Sequence, residues 1–247
     1  MLGIIGGTGL TQLSNLELTH RQVVRTPFGD PSGALTFGKL NRRDVVFLAR
    51  HGYGHTIPPH EVNYRANIWA LHSEGAGPIV SVASVGAIRS DLSPGALAIP
   101  HQVLDYTWGR KHTFFEGPDQ PVTHVDFTHP YCEELRARLL KAAAAAGQAI
   151  VKSGVYATTQ GPRLESAAEI DRLERDGADM VGMTGMPEAA LAKAMGLRYA
   201  AVAVVVNHAA GRGDSSEAIH LEQINAVLKA SMVNVRALLE KLVESDD

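Results

Sequence analysis

The chain opens on a short apolar run that leads directly into a glycine-rich loop, MLGIIGGTGLTQL at residues 1–13. The run at 2–5 has the length and composition of a buried strand. The glycines after it lack a Cβ and let backbone N–H groups come close to a ligand. Clustered N–H groups beside a hydroxyl such as Thr8 bind anions, most often phosphate. This stretch therefore predicts a strand that ends in a phosphate loop; a tight turn without a ligand is the simpler alternative.

A dinucleotide-binding fingerprint is another interpretation of the same loop, and the spacing argues against it. Gly7 and Gly9 would require a third glycine at position 12, where the chain has Gln12. No acidic residue ends a clear second strand about 20 residues later, as the fingerprint expects, and no Walker lysine follows. A nucleotide-dependent oxidoreductase is therefore not favoured.

Further apolar runs alternate with helical patterns along the chain, which predicts an α/β fold with a mixed, mostly parallel central sheet flanked by helices. We expect one domain, residues 1–247. The predicted loops are 20–44, 51–62, 101–130 and 207–218. The predicted strands are Leu2–Ile5, Val45–Ala49, Ile79–Val82, Ala96–Ile99, Val151–Tyr156, Met180–Met183 and Ala200–Val206, and the predicted helices are Asn63–Ser73, Glu133–Ala146, Ser166–Asp176, Pro187–Met195 and Leu221–Leu242.

Composition narrows the class of protein. About 45% of the 247 residues are hydrophobic, enough for a sizeable core, and the net charge of -3 does not favour a nucleic-acid partner. The single cysteine, Cys132, excludes an internal disulfide and fits a reducing compartment. No apolar run is long enough to span a bilayer, and the start lacks the features of a secretory signal. We expect a soluble cytoplasmic protein with no membrane partner.

Polar groups suited to an oxyanion recur where predicted strands end. Arg50 offers a planar fork, and His51 beside it adds a donor that responds to pH. Ser84 follows a third apolar run, and Thr184 lies between a strand and the helix that opens at Pro187. Each residue alone is explained by helix capping or by a position on the surface, but together they indicate a phosphate site.

A metal site is the alternative for the histidines of this region. His51, His55 and His60 are closely spaced, but the intervening glycines and prolines prevent a helix that would align them. No cysteine or HExxH pattern supports a metal either. We therefore expect no metal.

Several motifs together resemble the trimeric purine nucleoside phosphorylases. They are GIIGGTGL, TPFGDPS, LARHGYGHTIPPHEVNYRANIWAL, TQGPRLES and VGMTGMPEAALAK, and the match runs in order from residue 3 to about residue 240. The most similar branch contains the 5'-methylthioadenosine and 5'-methylthioinosine phosphorylases. The family cleaves the bond between ribose C1' and a purine nitrogen with inorganic phosphate as the nucleophile. The resemblance implies a homotrimer, phosphate as co-substrate, and no metal or organic cofactor.

Carried over residue by residue, the resemblance implies a phosphate site formed by Thr8, Arg50, His51, Ala83, Ser84 and Thr184. Ala83 departs from the family pattern, because relatives often have Asn or Thr there. Its side chain has no donor, so any contact with phosphate at this position must come from the backbone.

The resemblance also implies which purine is bound. Asn207 stands where adenine-cleaving relatives have Asp, and its amide can donate to O6 and N7 of a 6-oxopurine. Glu165 stands where those relatives have Ser, and a carboxylate can accept from the N1–H of hypoxanthine; its alternative role is to cap the helix at Ser166. Met183, His208 and Ala209 complete the implied base and ribose contacts, and Arg50, His51 and Asn207 are the implied catalytic residues.

The sugar's 5' group is expected to meet the last helix. Enzymes for ordinary nucleosides have a His where alignment gives Ile224, and Leu221 lies one turn earlier; such apolar residues suit a methylthio group. The alternative for Leu221 and Ile224 is that they pack into the core, because they are three residues apart on one face of the helix. If the alignment is wrong by one turn, His220 lies at the 5' group instead. His124 matches a histidine that relatives lend from a neighbouring subunit to this pocket.

These residues predict phosphorolysis of S-methyl-5'-thioinosine to hypoxanthine and 5-methylthioribose 1-phosphate. A 5'-methylthioadenosine phosphorylase and a general 6-oxopurine nucleoside phosphorylase are the nearest alternatives. A nucleoside hydrolase and a non-catalytic purine-binding protein are more distant ones.

Overall fold

The computed structural model describes residues 1–7, 10 and 16–245, and within them it contains eleven strands and five α-helices. The strands are β1 (Leu2–Gly6), β2 (Glu17–Gln22), β3 (Leu35–Leu40), β4 (Arg43–Ala49), β5 (Pro78–Ala87), β6 (Leu97–Ala98), β7 (Gln102–Asp105), β8 (Ile150–Val151), β9 (Val155–Thr158), β10 (Met180–Gly182) and β11 (Arg198–His208). The helices are α1 (Tyr64–Ser73), α2 (Glu133–Ala145), α3 (Ala167–Arg175), α4 (Glu188–Ala194) and α5 (Leu221–Glu244), with a 3-10 turn at Gly213–Ser215.

The strands form one mixed sheet with β5 at its centre. Its main path runs β2-β3-β4-β1-β5-β10-β9-β7, and β11, β6 and β8 branch from β5. Among the described strands, parallel pairs outnumber antiparallel ones. The predicted α/β fold with a mixed, mostly parallel sheet is confirmed.

The opening strand lies between two helical layers. β1 pairs in parallel with both β4 and β5, and all five of its residues are buried. Ile4 belongs to the core beneath α2 and α5, whereas Ile5 belongs to the core beneath α1 and α4. Successive strand residues point to opposite faces, so a strand covered on both faces is apolar throughout rather than alternating.

The five predicted helices are confirmed to within two residues at each end. The alanine-rich helix α2 ends as expected: its cap is Ala146, and Gly147 follows with a φ of +68°, the left-handed conformation typical of glycine at this position. None of the helices in the described ranges has the length and apolar character needed to cross a membrane.

Three predicted loops are wrong in part because they contain strand residues. β3 and the end of β2 lie in 20–44, β7 lies in 101–130, and the last two residues of β11 lie in 207–218. β2, with the sequence ELTHRQ, is an exposed edge strand, so it lacks the apolar run by which a buried strand is recognised. The strand predicted at 151–156 is two short strands, β8 and β9, which pair with different neighbours.

The pairing of β5 leaves a gap in the sheet. β11 pairs with one edge of β5 from Pro78 to Ala87, so β1 and β10 share the other edge. β1 covers Ile79–Val82 there, and β10 reaches β5 only at Gly86 and Ala87. Residues 83–85 therefore have no partner on this edge among the described strands, and a cavity opens there.

Candidate active site

The cavity at the β5 gap has a volume of about 610 Å³, within the range of small-molecule sites. It is bounded by the ends of β4, β5, β10 and β11 and by the start of α5. Most of the sequence-predicted site residues line it: Arg50, His51, Ala83, Ser84, Glu165, Met183, Thr184, Asn207, Ala209, Leu221 and Ile224. Thr8 lies outside the described residues, so its role in phosphate binding stays a prediction.

Arg50 is fully buried at the end of β4 and is bonded on three sides. Its Nε donates to Glu188 Oε2 at 2.7 Å and its Nη2 to Glu188 Oε1 at 2.9 Å. Nη2 also donates to Ser81 Oγ at 2.6 Å, and Nη1 donates to the Val82 carbonyl at 3.1 Å. Among the described contacts one Nη1–H therefore stays available, and a Cβ placed on Gly7 would lie 3.5 Å from Nη1, so this atom faces the glycine loop.

Glu188 is a buried partner that sequence reasoning missed. It is the first residue of α4, and its Oε1 also accepts from Ser81 Oγ and from the Tyr199 hydroxyl. Burial alone would lower the pKa of Arg50, but the carboxylate of Glu188 raises it above its ordinary value. An acidic residue in a first helical turn ordinarily indicates a favourable interaction with the helix dipole at the surface, so a buried ion pair has no signature in the sequence.

His51 is fixed in one tautomer. Its Nδ1 lies 2.8 Å from the Ile57 carbonyl, which can only accept, so Nδ1 carries the proton and Nε2 has the lone pair. Burial, followed by the charge of Arg50, lowers the pKa of His51 to about 4. The expectation that His51 donates near neutral pH is thus corrected: its Nε2 is an acceptor, suited to a hydroxyl of a protonated oxyanion.

Thr184 lies in the loop between β10 and α4 and is buried. Its backbone N–H lies 3.4 Å from the hydroxyl of Tyr156. α4 begins at Glu188, with Pro187 as its N-cap, so Thr184 lies between a strand and a helix N-terminus, as expected. Thr184 lines the cavity from this loop, and Ser84 lines it from β5.

Glu165 lies at the other end of the cavity, in the loop that follows β9. The hydroxyl of Thr159 donates to Glu165 Oε1 at 2.5 Å, which leaves Oε2 for a ligand. The cap of α3 is made by Ser166 and Glu169, which form a reciprocal capping box. The alternative in which Glu165 only caps the helix is therefore wrong.

Asn207 owes its position to a bulge in β11. The register of β11 against β5 shifts between Val205 and Asn207, and the consecutive residues Val206 and Asn207 both line the cavity. Bulges re-aim side chains in this way near functional sites. Asn207 Nδ2 donates to the His208 carbonyl at 2.5 Å, so one amide hydrogen and Oδ1 stay available.

His208 is not among the residues that line the cavity, and its predicted base contact stays a prediction. Its Nδ1 accepts from the backbone N–H of Asp214 at 3.3 Å. The ring also packs against Gly213, where an added Cβ would come within 2.6 Å of it. These contacts hold His208 against the 3-10 turn, whereas Ala209, one residue on, lines the cavity.

The start of α5 forms the apolar wall. Leu221 and Ile224 line the cavity, and Leu228 and Met232 continue the same helical stripe. Leu221 is 64% exposed, so core packing does not account for it. His220 is the exposed N-cap of α5 and does not line the cavity.

His124 is exposed in the loop between β7 and α2, outside this chain's cavity. Its contribution to a neighbouring subunit's pocket stays a prediction. Within the described ranges no group of three or more His, Cys, Asp or Glu side chains is placed to hold a metal ion.

Comparison with known families gives the class of protein. The model of the phosphorylase superfamily matches residues 1–244, nearly the whole chain. The chain belongs to this superfamily, and the expected enzyme class is confirmed.

Individual relatives narrow the branch. A probable S-methyl-5'-thioinosine phosphorylase of Pseudomonas syringae pv. tomato is 52% identical over 242 residues, covering 98% of each chain. A 6-oxopurine nucleoside phosphorylase of Pyrococcus furiosus is 41% identical, covering 96% of this chain and 90% of that one. Among solved structures, the methylthioadenosine phosphorylase of Schistosoma mansoni in complex with adenine has a TM-score of 0.94 at 33% identity, covering 100% of this chain and 92% of that one.

Proposed function

We propose that this enzyme catalyses the phosphorolysis of S-methyl-5'-thioinosine, with hypoxanthine and 5-methylthioribose 1-phosphate as products. The observation that carries the proposal is one cavity with three kinds of wall: oxyanion groups around Arg50, the polar pair Glu165 and Asn207, and the apolar stripe of α5. The names of relatives about 50% identical support the same reaction.

Phosphate would lie between the glycine loop, β5 and the loop that carries Thr184. The remaining Nη1–H of Arg50 donates to one oxygen, and further donors come from the Thr184 hydroxyl and from backbone N–H groups on the open edge of residues 83–85. Nε2 of His51 accepts from the remaining P–OH of hydrogen phosphate. This arrangement orients an anion and stabilises positive charge that develops nearby on the sugar.

The reaction is a loose substitution at C1'. The bond from C1' to N9 stretches first, and the ribose becomes oxocarbenium-like. A phosphate oxygen then forms the new bond to C1', while the electron pair of the broken bond stays on the purine. Asn207 stabilises that charge by donating from its amide, or accepts through Oδ1 from a proton that arrives at N7. The proposed reaction requires no metal or organic cofactor.

The polar pair would select a 6-oxopurine. Glu165 Oε2 accepts from N1–H, a hydrogen that hypoxanthine has and adenine lacks, while the remaining amide hydrogen of Asn207 is donated to O6 or N7. With adenine, the carboxylate would face the N1 lone pair, and an unpaired polar group in a closed site costs about 1–3 kcal/mol or more.

The 5' substituent would lie against Leu221 and Ile224, with Met183 at the ribose face. Among the described residues, no hydrogen-bonding side chain of α5 lines the cavity, so a 5'-hydroxyl would lose a partner there. We further propose a cytoplasmic homotrimer in which His124 of one subunit completes the 5' pocket of another. A general 6-oxopurine nucleoside phosphorylase is the second candidate, supported by the relative of that name from Pyrococcus furiosus.

The test is release of free base from S-methyl-5'-thioinosine with and without phosphate, followed by identification of the sugar product. The proposal requires that hypoxanthine appears only with phosphate and that a sugar 1-phosphate accompanies it in equal amount. Equal rates without phosphate would indicate a hydrolase. Tight binding of hypoxanthine without turnover of any nucleoside would indicate a binding protein.

A further inference from the structure

Arg110 lies in the loop after β7, and its guanidinium group is bonded to the backbones of two other loops. Nη1 donates to the carbonyls of Met183 at 2.8 Å and Met186 at 2.6 Å. Nη2 donates to the carbonyls of Gln160 at 2.8 Å and Thr159 at 3.3 Å. One side chain thereby joins the loop between β10 and α4 to the loop between β9 and α3.

The remaining contacts of Arg110 are also with neutral groups. Nε donates to Gln160 Oε1 at 3.2 Å, and Nη1 lies 3.3 Å from the hydroxyl of Tyr64, whose ring the guanidinium covers at 5.4 Å. None of the ion pairs found among the described residues includes Arg110. Its fork is used to bind backbone oxygens, a task that needs planar, divergent donors and that a lysine cannot perform.

Each of the two loops carries a group that the proposed reaction uses. Met183 and Met186 bracket Thr184, which reaches the cavity from the phosphate side. Thr159 donates to Glu165, which reaches the cavity from the base side. Arg110 itself does not line the cavity.

We propose that Arg110 is a positioning residue that sets the spacing between Thr184 and Glu165, and so between bound phosphate and bound purine. This inference rests on the proposed function. The reacting atoms must meet at near-contact distance, and a misplacement of about 1 Å costs about 10²-fold in rate. A side chain that fixes both loops at once therefore affects phosphate and base together.

Arg136 is a matched control for Arg110. It is buried and also donates to carbonyls of separate segments, those of Pro100 at 2.9 Å and Lys152 at 2.8 Å. Neither it nor these partners line the cavity. Loss of either arginine should lower stability, but only loss of Arg110 should alter how substrates are held.

The experiment compares Arg110→Lys, Arg110→Gln and Arg136→Lys with the wild-type enzyme. The readouts are the KM for phosphate and the ratio of kcat/KM for S-methyl-5'-thioinosine to that for 5'-methylthioadenosine, since neither depends on the fraction of active enzyme. Both Arg110 variants should raise the KM about fivefold or more and lower the ratio about tenfold. Arg136→Lys should leave both readouts unchanged while lowering the melting temperature.

Three results would overturn the inference: Arg110 variants that change only the melting temperature, an Arg110→Lys variant with wild-type readouts, or an Arg136→Lys variant with equal kinetic losses. A wild-type enzyme without turnover would refute the proposed function instead.

Hydrogen exchange without substrate then tests the role of Arg110 separately from the proposed function. Amides of 159–166 and 183–187 must exchange about tenfold faster in Arg110→Lys than in Arg136→Lys, and equal rates would overturn it.

Discussion

At the residue scale, the cavity is built from side chains that are already partly bonded to the protein, so that each offers only one or two atoms to a ligand. Arg50 offers one hydrogen of Nη1, His51 offers the lone pair of Nε2, and Glu165 offers Oε2. Such groups need little reorganisation when charge develops in a reaction, which is the condition for strong electrostatic stabilisation.

The buried pair of Arg50 and Glu188 makes a prediction about stability. Glu188→Gln removes the carboxylate and leaves the guanidinium of Arg50 buried without a counter-charge, which should cost about 3–5 kcal/mol. Denaturant unfolding measures the loss. Glu134→Gln, which breaks the exposed pair with Arg198, is the control and should cost at most about 1 kcal/mol. Equal losses in the two variants would contradict the role given to the buried pair.

Glu165 makes a prediction about base selectivity. Glu165→Gln replaces an acceptor-only group by an amide that can also donate, so the preference for S-methyl-5'-thioinosine over 5'-methylthioadenosine should fall about 10- to 100-fold. Steady-state kinetics with both nucleosides measures the ratio. Glu169→Gln alters the neighbouring capping box of α3 and should leave the ratio unchanged. An unchanged ratio in Glu165→Gln would remove the argument for 6-oxopurine recognition.

His51 makes a prediction about pH. Its folded pKa of about 4 lies below the ordinary 6.5, because burial and the charge of Arg50 disfavour the protonated ring. As the pH falls below 6.5, His51 binds a proton in the unfolded chain but stays neutral in the folded one. The contribution of the neutral ring to the free energy of unfolding is therefore complete above pH 6.5 and declines towards pH 4. His51→Gln should flatten this decline in unfolding measurements between pH 4 and 7. A decline of the same steepness in the variant would show that other groups cause it.

At the element scale, the sequence predicted buried elements well and polar edges poorly. The five helices and β1 have strong apolar patterns, whereas β2 and β7 lack them because they lie at the edges of the sheet. The bulge in β11, through which the consecutive residues Val206 and Asn207 both line the cavity, has no sequence signature. The buried environment of Glu188 arises only from tertiary packing.

Helix α5 makes a prediction about the sugar. Ile224→Thr places a hydroxyl in the apolar wall, so it should lower the preference for S-methyl-5'-thioinosine over inosine about tenfold, by loss of apolar contact and gain of a partner for the 5'-hydroxyl. The ratio of kcat/KM for the two nucleosides measures it. Val233→Thr lies on the exposed side of the same helix and is the control. If both variants keep the wild-type ratio, α5 does not bind the 5' group.

At the scale of the whole molecule, the site exists because one edge of β5 changes partner from β1 to β10 and leaves residues 83–85 without a partner strand on that edge. The carboxyl ends of β1, β4 and β11 converge on this gap, so residues far apart in sequence meet there. The motifs indicated residues that are, for the most part, members of the cavity lining. They did not predict how those members are held, since the ion pair of Arg50, the tautomer of His51 and the contacts of Arg110 depend on folded geometry.

The most direct measurement is a competition: equal amounts of S-methyl-5'-thioinosine, 5'-methylthioadenosine and inosine in one reaction with the wild-type enzyme and phosphate. Disappearance of each nucleoside over time gives the relative kcat/KM values directly. The proposed function requires that S-methyl-5'-thioinosine is consumed at least tenfold faster than either competitor. Faster consumption of 5'-methylthioadenosine would contradict the roles of Glu165 and Asn207, and faster consumption of inosine would contradict the role of the α5 wall.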